Sequence, residues 1–166
     1  GGVNIAHAQQ EMTQLAEKTC IPVITTIMGK GALPTNHPLY VGNLGIHGSY
    51  AANTAISECD VLFSIGVRFN DRITGKVSEF AKKATIIHVD IDPASISRNI
   101  VVDIPIVADA KNAIAALLEK APKYDFADWK KQIDSWKAEH PIYSIDGAKS
   151  KVTPYSIIQE INRVFE

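Results

Sequence analysis

The chain alternates short apolar runs with amphipathic stretches. Apolar residues Ile5, Ala8, Met12, Leu15 and Ala16 recur at helical spacing and predict a helix over residues 4–18. Residues 21–26 form a short β-rich segment. Residues 61–65, 85–90 and 104–107 are compact apolar runs of the kind that form buried parallel strands. Between them, small-residue and amphipathic stretches predict helices over 49–58 and 109–120, with a helical turn near 78–82 and a short helix from Asp92-Pro93 to about Asn99. Strands alternating with helices imply right-handed crossovers and a doubly wound α/β fold. Residues 28–48 carry seven glycines and prolines with no clear period and read as a long loop, which in a compact domain is either functional or disordered. After Pro122 the character changes. Trp129, Ile133 and Trp136 lie on one face of a helix over 126–138, as packing anchors. Residues 141–152 lack periodicity and read as a linker. Thr153-Pro154 then supplies a cap and first turn for a helix over 155–165.

Composition narrows the class. The 166 residues are 46% hydrophobic and 21% charged with a formal net charge of −1, the profile of a soluble globular chain. There is no basic excess to neutralise a nucleic-acid backbone, no apolar run long enough to span a membrane, and no signal-peptide pattern. Cys20 and Cys59 are expected as buried free thiols rather than a disulfide or metal framework. His7, His37, His47, His88 and His140 have no metal-ligand spacing, and no nucleophile–base arrangement can be argued from their order. Gly1-Gly2 ahead of a helix is a pattern that ordinarily follows a strand. The expectation is therefore a piece of a longer polypeptide, with residues from Thr153 opening another domain.

The chemistry concentrates at strand ends. After 61–65 comes Gly66-Val67-Arg68-Phe69-Asn70-Asp71-Arg72-Ile73-Thr74-Gly75, two arginines and two acceptors between glycines. An arginine fork suits a phosphate or diphosphate, with the acidic residue holding the arginines in place. The same residues also suit a solvated loop with local ion pairs. Gly1-Gly2, Thr26-Ile27-Met28, Asp90-Ile91-Asp92-Pro93 and Ala108-Asp109 would share the same sheet edge, where open α/β sheets bind ligands. Taken singly these are weak signals. The glycine pair is not the dinucleotide fingerprint, Asp90 suits a local turn, Asp109 suits a helix N-cap, and His47 in Gly45-Ile46-His47-Gly48 suits a structural role as well as a chemical one. Together they favour a nucleotide cofactor, held by a chain with no evident catalytic group of its own.

Several runs coincide with a known family. Gly1-Gly2, residues 22–31, residues 42–48, Gly66 to Gly75 and Ile87-His88-Val89-Asp90-Ile91-Asp92-Pro93 resemble the central domain of thiamine-diphosphate-dependent enzymes, in order over residues 1 to about 120. The arginine loop resembles the Gly-x-Arg-Phe-Asp-Asp-Arg-x-Thr-Gly pattern of the FAD-containing acetohydroxyacid (acetolactate) synthases, in their catalytic large subunit. The resemblance implies a six-stranded Rossmann-like parallel sheet with helices on both faces, holding a largely structural FAD. It divides the chain into a central domain over 1–122 lacking its first strand, a flanking helix over 123–140, a linker over 141–152, and the start of a thiamine-diphosphate-binding domain over 153–166. By position it places Gly1 and Gly2 along the FAD backbone and Thr26, Ile27 and Met28 beside its ribityl and flavin part. Leu44, Ile46 and His47 would line the flavin, Gly66, Arg68, Asp71, Arg72 and Ile73 would form the main cofactor loop, and Asp90, Ile91, Asp109 and Ala110 would take the adenosine end. No catalytic or metal residue is implied here.

The resemblance further implies that thiamine diphosphate and magnesium (Mg2+) are held by domains outside this stretch. The whole enzyme would decarboxylate pyruvate and join the two-carbon unit to pyruvate or 2-ketobutyrate in branched-chain amino-acid biosynthesis, and this stretch alone would be inactive. Implied partners are the protein's own N- and C-terminal catalytic domains, further copies of the subunit in a dimer or tetramer, and a small regulatory subunit, in a bacterial cytoplasm. Three positions depart from the pattern. Asn70 stands where aspartate is usual, Ile46 where methionine is usual, and Met28 where glutamine is common. Two other readings fit the same edge: a related decarboxylase or synthase domain with an empty nucleotide site acting as a scaffold, and an NAD-binding module.

Overall fold

A computed structural model describes residues 1–142 and 152–165. Helices cover two parallel sheets. The first sheet pairs β1 (Val23–Thr25) with β2 (Tyr40–Asn43), and the second has the order β3 (Val61–Ile65), β4 (Thr85–Asp90), β5 (Ile104–Val107). In the second sheet Val61 sits opposite Thr85 and Ile65 opposite Val89, while His88 faces Pro105. Pro105 lacks an amide hydrogen and is tolerated because β5 is an edge strand.

The two faces are covered by different elements. On one, α1 (Gly2–Ile5), α2 (Gln9–Thr19) and α5 (Ala110–Lys120) bury Val3, Leu15 and Ile114 against Ile65 and Val89. On the other, α3 (Tyr50–Glu58) contributes Ile56 to a cluster with Phe69, Ala81, Ile86 and Ile100. A flanking helix, α6 (Ala127–Glu139), lays Ile133, Trp129 and Trp136 on Ala51, Ala52 and Ala55 of α3, the two indoles edge to face at 5.5 Å. The tryptophans are thus packing anchors, as their spacing predicts.

An apolar slot separates the sheets. Its cavity of about 190 Å³ is bordered by consecutive residues of β1 (Val23, Ile24, Thr25) and of β3 (Leu62, Phe63, Ser64, Ile65). Side chains on a strand alternate between faces, so a run of consecutive residues means that the slot meets both strands edge-on. Neither facing edge has a strand partner among the described residues. Met12, Leu15 and Ala16 of α2 close one side, Ile56 and Phe69 the other, and Gly1 lies at the slot's margin.

Four local expectations are corrected. The helix over 4–18 is two helices, because His7 at φ +50° breaks the run and Ala8 N–H returns to the Val3 carbonyl at 3.0 Å. The loop over 28–48 contains β2, a strand too short and glycine-interrupted to show a period but paired in parallel with β1. The described residues hold five strands, the number expected of a six-stranded sheet without its first, but divided between two sheets rather than joined in one. The cysteines are free but half-buried rather than buried. Burial, with Asp60 beside it, pushes the Cys59 thiol up to about 11. Most of the 141–152 linker lies outside the described residues. The arginine loop holds the short α4 (Asp71–Thr74), and after the linker comes α7 (Pro154–Phe165), opened by reciprocal bonds between Thr153 and Ser156. No described helix is long and apolar enough to cross a membrane.

Candidate functional site

Parallel strands put their carboxyl ends on one edge, and the predicted site residues gather there. The centre is a close approach of two backbones. Gly2 N–H donates to the Gly66 carbonyl at 3.1 Å, and a Cβ on Gly2 would lie 2.7 Å from Gly66 Cα, which no side chain permits. Gly66 takes φ +61° so that its own N–H can reach the Val89 carbonyl at 2.8 Å. Gly1 sits against Met28, and Asn4 Nδ2 donates to the carbonyls of Met28 (3.1 Å) and Lys30 (3.0 Å). Thus Gly1, Gly2, Met28 and Gly66 form one cradle. Asn4 Oδ1, sealed from solvent, has no hydrogen-bond partner.

The arginine loop is anchored by its aromatic. Phe69 is 3% exposed at φ +47°, edge-on to His88 at 5.0 Å and to Phe80 at 5.9 Å. That burial leaves Arg68, Asn70, Asp71 and Arg72 exposed, while Ile73 is half-buried and Thr74 bonds the Asn70 carbonyl to close α4. Asp71 forms no ion pair with either arginine, contrary to expectation. Adjacent helical positions point about 100° apart, so Asp71 and Arg72 cannot face each other. Among the described residues no carboxylate lies within 4.0 Å of the guanidinium groups of Arg68 and Arg72.

A second loop docks on the first. Ile46 N–H donates to the Arg72 carbonyl at 2.9 Å, and a Cβ on Gly45 would strike that same carbonyl. Asn53 clamps the turn, accepting from Gly45 N–H at 3.0 Å and donating to its carbonyl at 3.1 Å. Sequence reasoning missed Asn53. The signal was a carboxamide in an otherwise alanine-rich helix. Ser49 caps that helix through Ala52 N–H at 3.2 Å. His47 is exposed and Leu44 half-buried. Ile27 and Met28 are 73% and 75% exposed and Ile46 is 60% exposed, so this side of the cradle presents bare apolar surface.

The other side is polar. Asp90 Oδ1 accepts from Asp92 N–H at 2.9 Å, the local turn allowed for above, and its Oδ2 lies 3.7 Å from His88 Nε2. Ala108 N–H reaches the Asp90 carbonyl at 3.1 Å, which brings the ends of β4 and β5 together. Asp109 is an N-cap, with Oδ1 accepting from Lys111 and Asn112 N–H at 2.9 and 3.2 Å, and Ala110 is buried behind it. Ile91 projects into solvent at the same edge. His88 is wholly buried with neither ring nitrogen hydrogen-bonded, and burial lowers its pKa against the opposing pull of Asp90 and the Val67 backbone. Among the described residues no group of His, Cys, Asp and Glu could hold a metal ion.

Comparison with known proteins identifies the family. Residues 1–117 match the family described as thiamine pyrophosphate enzyme, central domain. The chain is 45% identical over 167 aligned residues to a probable acetolactate synthase large subunit of Methanocaldococcus jannaschii, covering 99% of this chain and 28% of that protein. It is 42% identical to the acetolactate synthase large subunit of Cyanidium caldarium (99% and 29%) and 36% identical to the acetolactate synthase isozyme 3 large subunit of Escherichia coli K12 (99% and 30%). It therefore spans under a third of the length of these relatives. With residues 1–117 matching throughout and the strand-end cradle in place, the chain belongs to the thiamine pyrophosphate enzyme central-domain family.

Proposed function

We propose that this chain is the FAD-holding central domain of an acetolactate synthase large subunit. The observation that carries the reading is the asymmetric cradle. At its middle two glycine backbones touch, and beside them lie arginines with no carboxylate partner among the described residues. On one side are exposed Ile27, Met28 and Ile46, on the other Asp90 and Asp109. Glycine backbone and guanidinium groups suit a diphosphate, bare aliphatic surface suits a flavin ring, and carboxylates suit ribose and adenine hydroxyl and amino groups. Gly1, Gly2, Gly66, Arg68 and Arg72 would hold the diphosphate. Thr26, Ile27, Met28, Leu44, Ile46 and His47 would lie along the flavin, and Asp90, Ile91, Asp109 and Ala110 along the adenosine. The flavin's part is to order the surfaces on which other domains close.

The whole protein would decarboxylate pyruvate and transfer the two-carbon unit to a second 2-keto acid, using thiamine diphosphate and Mg2+ bound by its other domains. Residues from Thr153 would begin one of these, and the exposed Ile157, Ile158, Ile161 and Phe165 of α7 suit burial there. Further copies of the large subunit and a small subunit are the expected partners, and the cytoplasm is the expected compartment. The slot between the sheets supports a sixth, parallel strand leading into Gly1 in the whole polypeptide. The test is the visible spectrum of the full-length protein. After addition of FAD and gel filtration it should carry a flavin band, and Arg68→Ala should lose most of it. A full-length protein that emerges colourless would refute the assignment.

A further inference from the structure

Among the described residues His88 is the only ionisable side chain that is fully buried. It stands on β4 two residues before Asp90, so the two side chains share one face of the sheet. Neither ring nitrogen finds a hydrogen-bond partner, an arrangement that costs the fold and that an apolar side chain of similar size would avoid. Its neighbours supply a chemical reason for the imidazole. Phe69 of the arginine loop meets the ring edge-on at 5.0 Å. Asp90 Oδ2 lies 3.7 Å from Nε2, beyond hydrogen-bond reach but close enough for its charge to be felt. The two oxygens of Asp90 differ. Oδ1 accepts from Asp92 N–H at 2.9 Å, whereas Oδ2 has no hydrogen-bond partner among the described residues and is not sealed from solvent. Oδ2 is thus the oxygen left for a ligand hydroxyl at this edge, with a buried imidazole on its inner side.

A proton on His88 changes what Oδ2 can do. A neutral ring leaves the oxygen at 3.7 Å. An imidazolium carries N–H donors on both nitrogens, and its bond to a carboxylate is about 2.7–2.9 Å long, so the gap closes by about 1 Å. That movement runs toward the core and away from the ligand edge. No other group on the elements covering this face can answer the proton. Glu58 of α3 pairs with Lys83, Glu79 pairs with Lys76 and Lys82, and Asp103 accepts from Ile86 N–H. Arg68, Asp71, Arg72 and Arg98 are exposed, and Asp92 is engaged by Ala94 N–H and the Ser95 hydroxyl. The neighbouring strands set Ser64 and Pro105 opposite His88, and neither titrates. The Gly1 amine also feels Asp90, but where the polypeptide continues ahead of Gly1 that nitrogen is a peptide amide.

We propose that His88 is a positioning residue for Asp90: with the ring neutral Oδ2 stays at the outer edge and takes a ribose hydroxyl, and with the ring protonated Oδ2 is drawn inward and gives that contact up. This rests on the reading of the edge as the adenosine end of a bound FAD. Proton and cofactor then oppose each other, and by linkage FAD expels the proton from His88 by the factor with which the proton weakens FAD. Burial holds His88 below its ordinary value, so FAD affinity is full above about pH 6.5 and falls on the acid side.

The test titrates full-length protein, stripped of flavin, with FAD between about pH 7.5 and 5. Calorimetry in buffers of different ionisation heat counts the protons released. The parent should bind FAD about five-fold or more weakly at the acid end, releasing a fraction of a proton there. His88→Gln and Asp90→Asn should lose both the slope and the release, whatever their affinity at neutral pH. His47→Gln, at the other histidine of the cradle, should keep both. A parent affinity that does not fall toward acid, a slope unaltered in His88→Gln, or a slope lost in His47→Gln would overturn the positioning role and leave the FAD site standing. If His88→Gln does not fold, the parent and Asp90→Asn decide the matter. If the parent takes no FAD, the FAD reading fails by itself, and flavin-free protein carries the test. Asp90→Asn removes the charge that helps His88 hold a proton, so its urea midpoint should fall more steeply toward acid than the parent's. That result would keep the positioning for another hydroxyl ligand, and equal slopes would overturn it.

Discussion

Phe69→Ala is the sharpest probe of how the arginine loop is held. The ring is 3% exposed in the cluster of Ile56, Ala81, Ile86 and Ile100, with edge contacts to His88 at 5.0 Å and Phe80 at 5.9 Å. Truncating a phenyl at such a site costs about 3–5 kcal/mol from lost transfer energy and the cavity left behind, and each aromatic pair adds about 0.5–1.5 kcal/mol. The positive φ is kept by both residues, so no strain is relieved. The neighbours are small or held by strand pairing, which limits collapse, and a loss of about 4 kcal/mol is expected. Phe69→Leu, which keeps most of the volume, should lose only about 1–2 kcal/mol. Against a typical total of about 5–15 kcal/mol, the alanine variant is strongly weakened. Urea unfolding of the full-length flavin-free protein, followed by tryptophan fluorescence, gives the difference. FAD affinity of the folded fraction should fall in Phe69→Ala and be largely kept in Phe69→Leu, because the ring sets the direction of its neighbours Arg68 and Asn70. Stability of Phe69→Ala within about 1 kcal/mol of the parent would refute the claim that the loop hangs on this side chain.

Gly45→Ala should detach the 44–48 loop from Arg72, since φ +112° and the nearby Arg72 carbonyl both oppose a methyl group; a loss of about 1–3 kcal/mol in thermal unfolding is expected, and unchanged stability would count against that docking. Asp109→Ala should cost about 1 kcal/mol and Asp109→Asn a few tenths, read from chemical denaturation, because the carboxylate caps two amides. His88 has its pKa lowered in the fold, so the unfolded chain binds the proton more readily and stability falls as pH drops below the unfolded value of about 6.5 toward the lower folded value. Replacing it in His88→Leu should flatten the pH dependence of the urea midpoint between about pH 7.5 and 5, and an unaltered slope would show that another group is responsible.

Much of this architecture is legible residue by residue. Runs 61–65, 85–90 and 104–107 are strands within those bounds, because parallel strands covered by helices are written as continuous apolar runs, although the edge strand β5 leaves Ile104, Pro105 and Val107 exposed. Asp109, Ser49 and the Trp129–Trp136 face likewise declare themselves through local chemistry. What escapes is whatever depends on distant partners. β2 exists because β1 pairs with it, and the break at His7 reflects an asparagine in α1 reaching across to residues 28 and 30. Asp71 looks like a counter-ion when written beside Arg72, yet one turn of helix turns the two apart.

The slot between the sheets also sets how the domain comes apart. No ladder hydrogen bond crosses from β1 to β3, so the half built on β1 and β2 and the half built on β3 to β5 communicate through side-chain packing of α2 and α3, with Ile56 and Ile24 against Phe69 and Ile86, and through the Gly2–Gly66 and Ile46–Arg72 bonds. The hydrogen-bonded joints between the halves are therefore few, and both lie in the strand-end cradle. Amide exchange should resolve two opening units, with β3 and β4 the slower, and a ligand seated across those joints should fuse them into one.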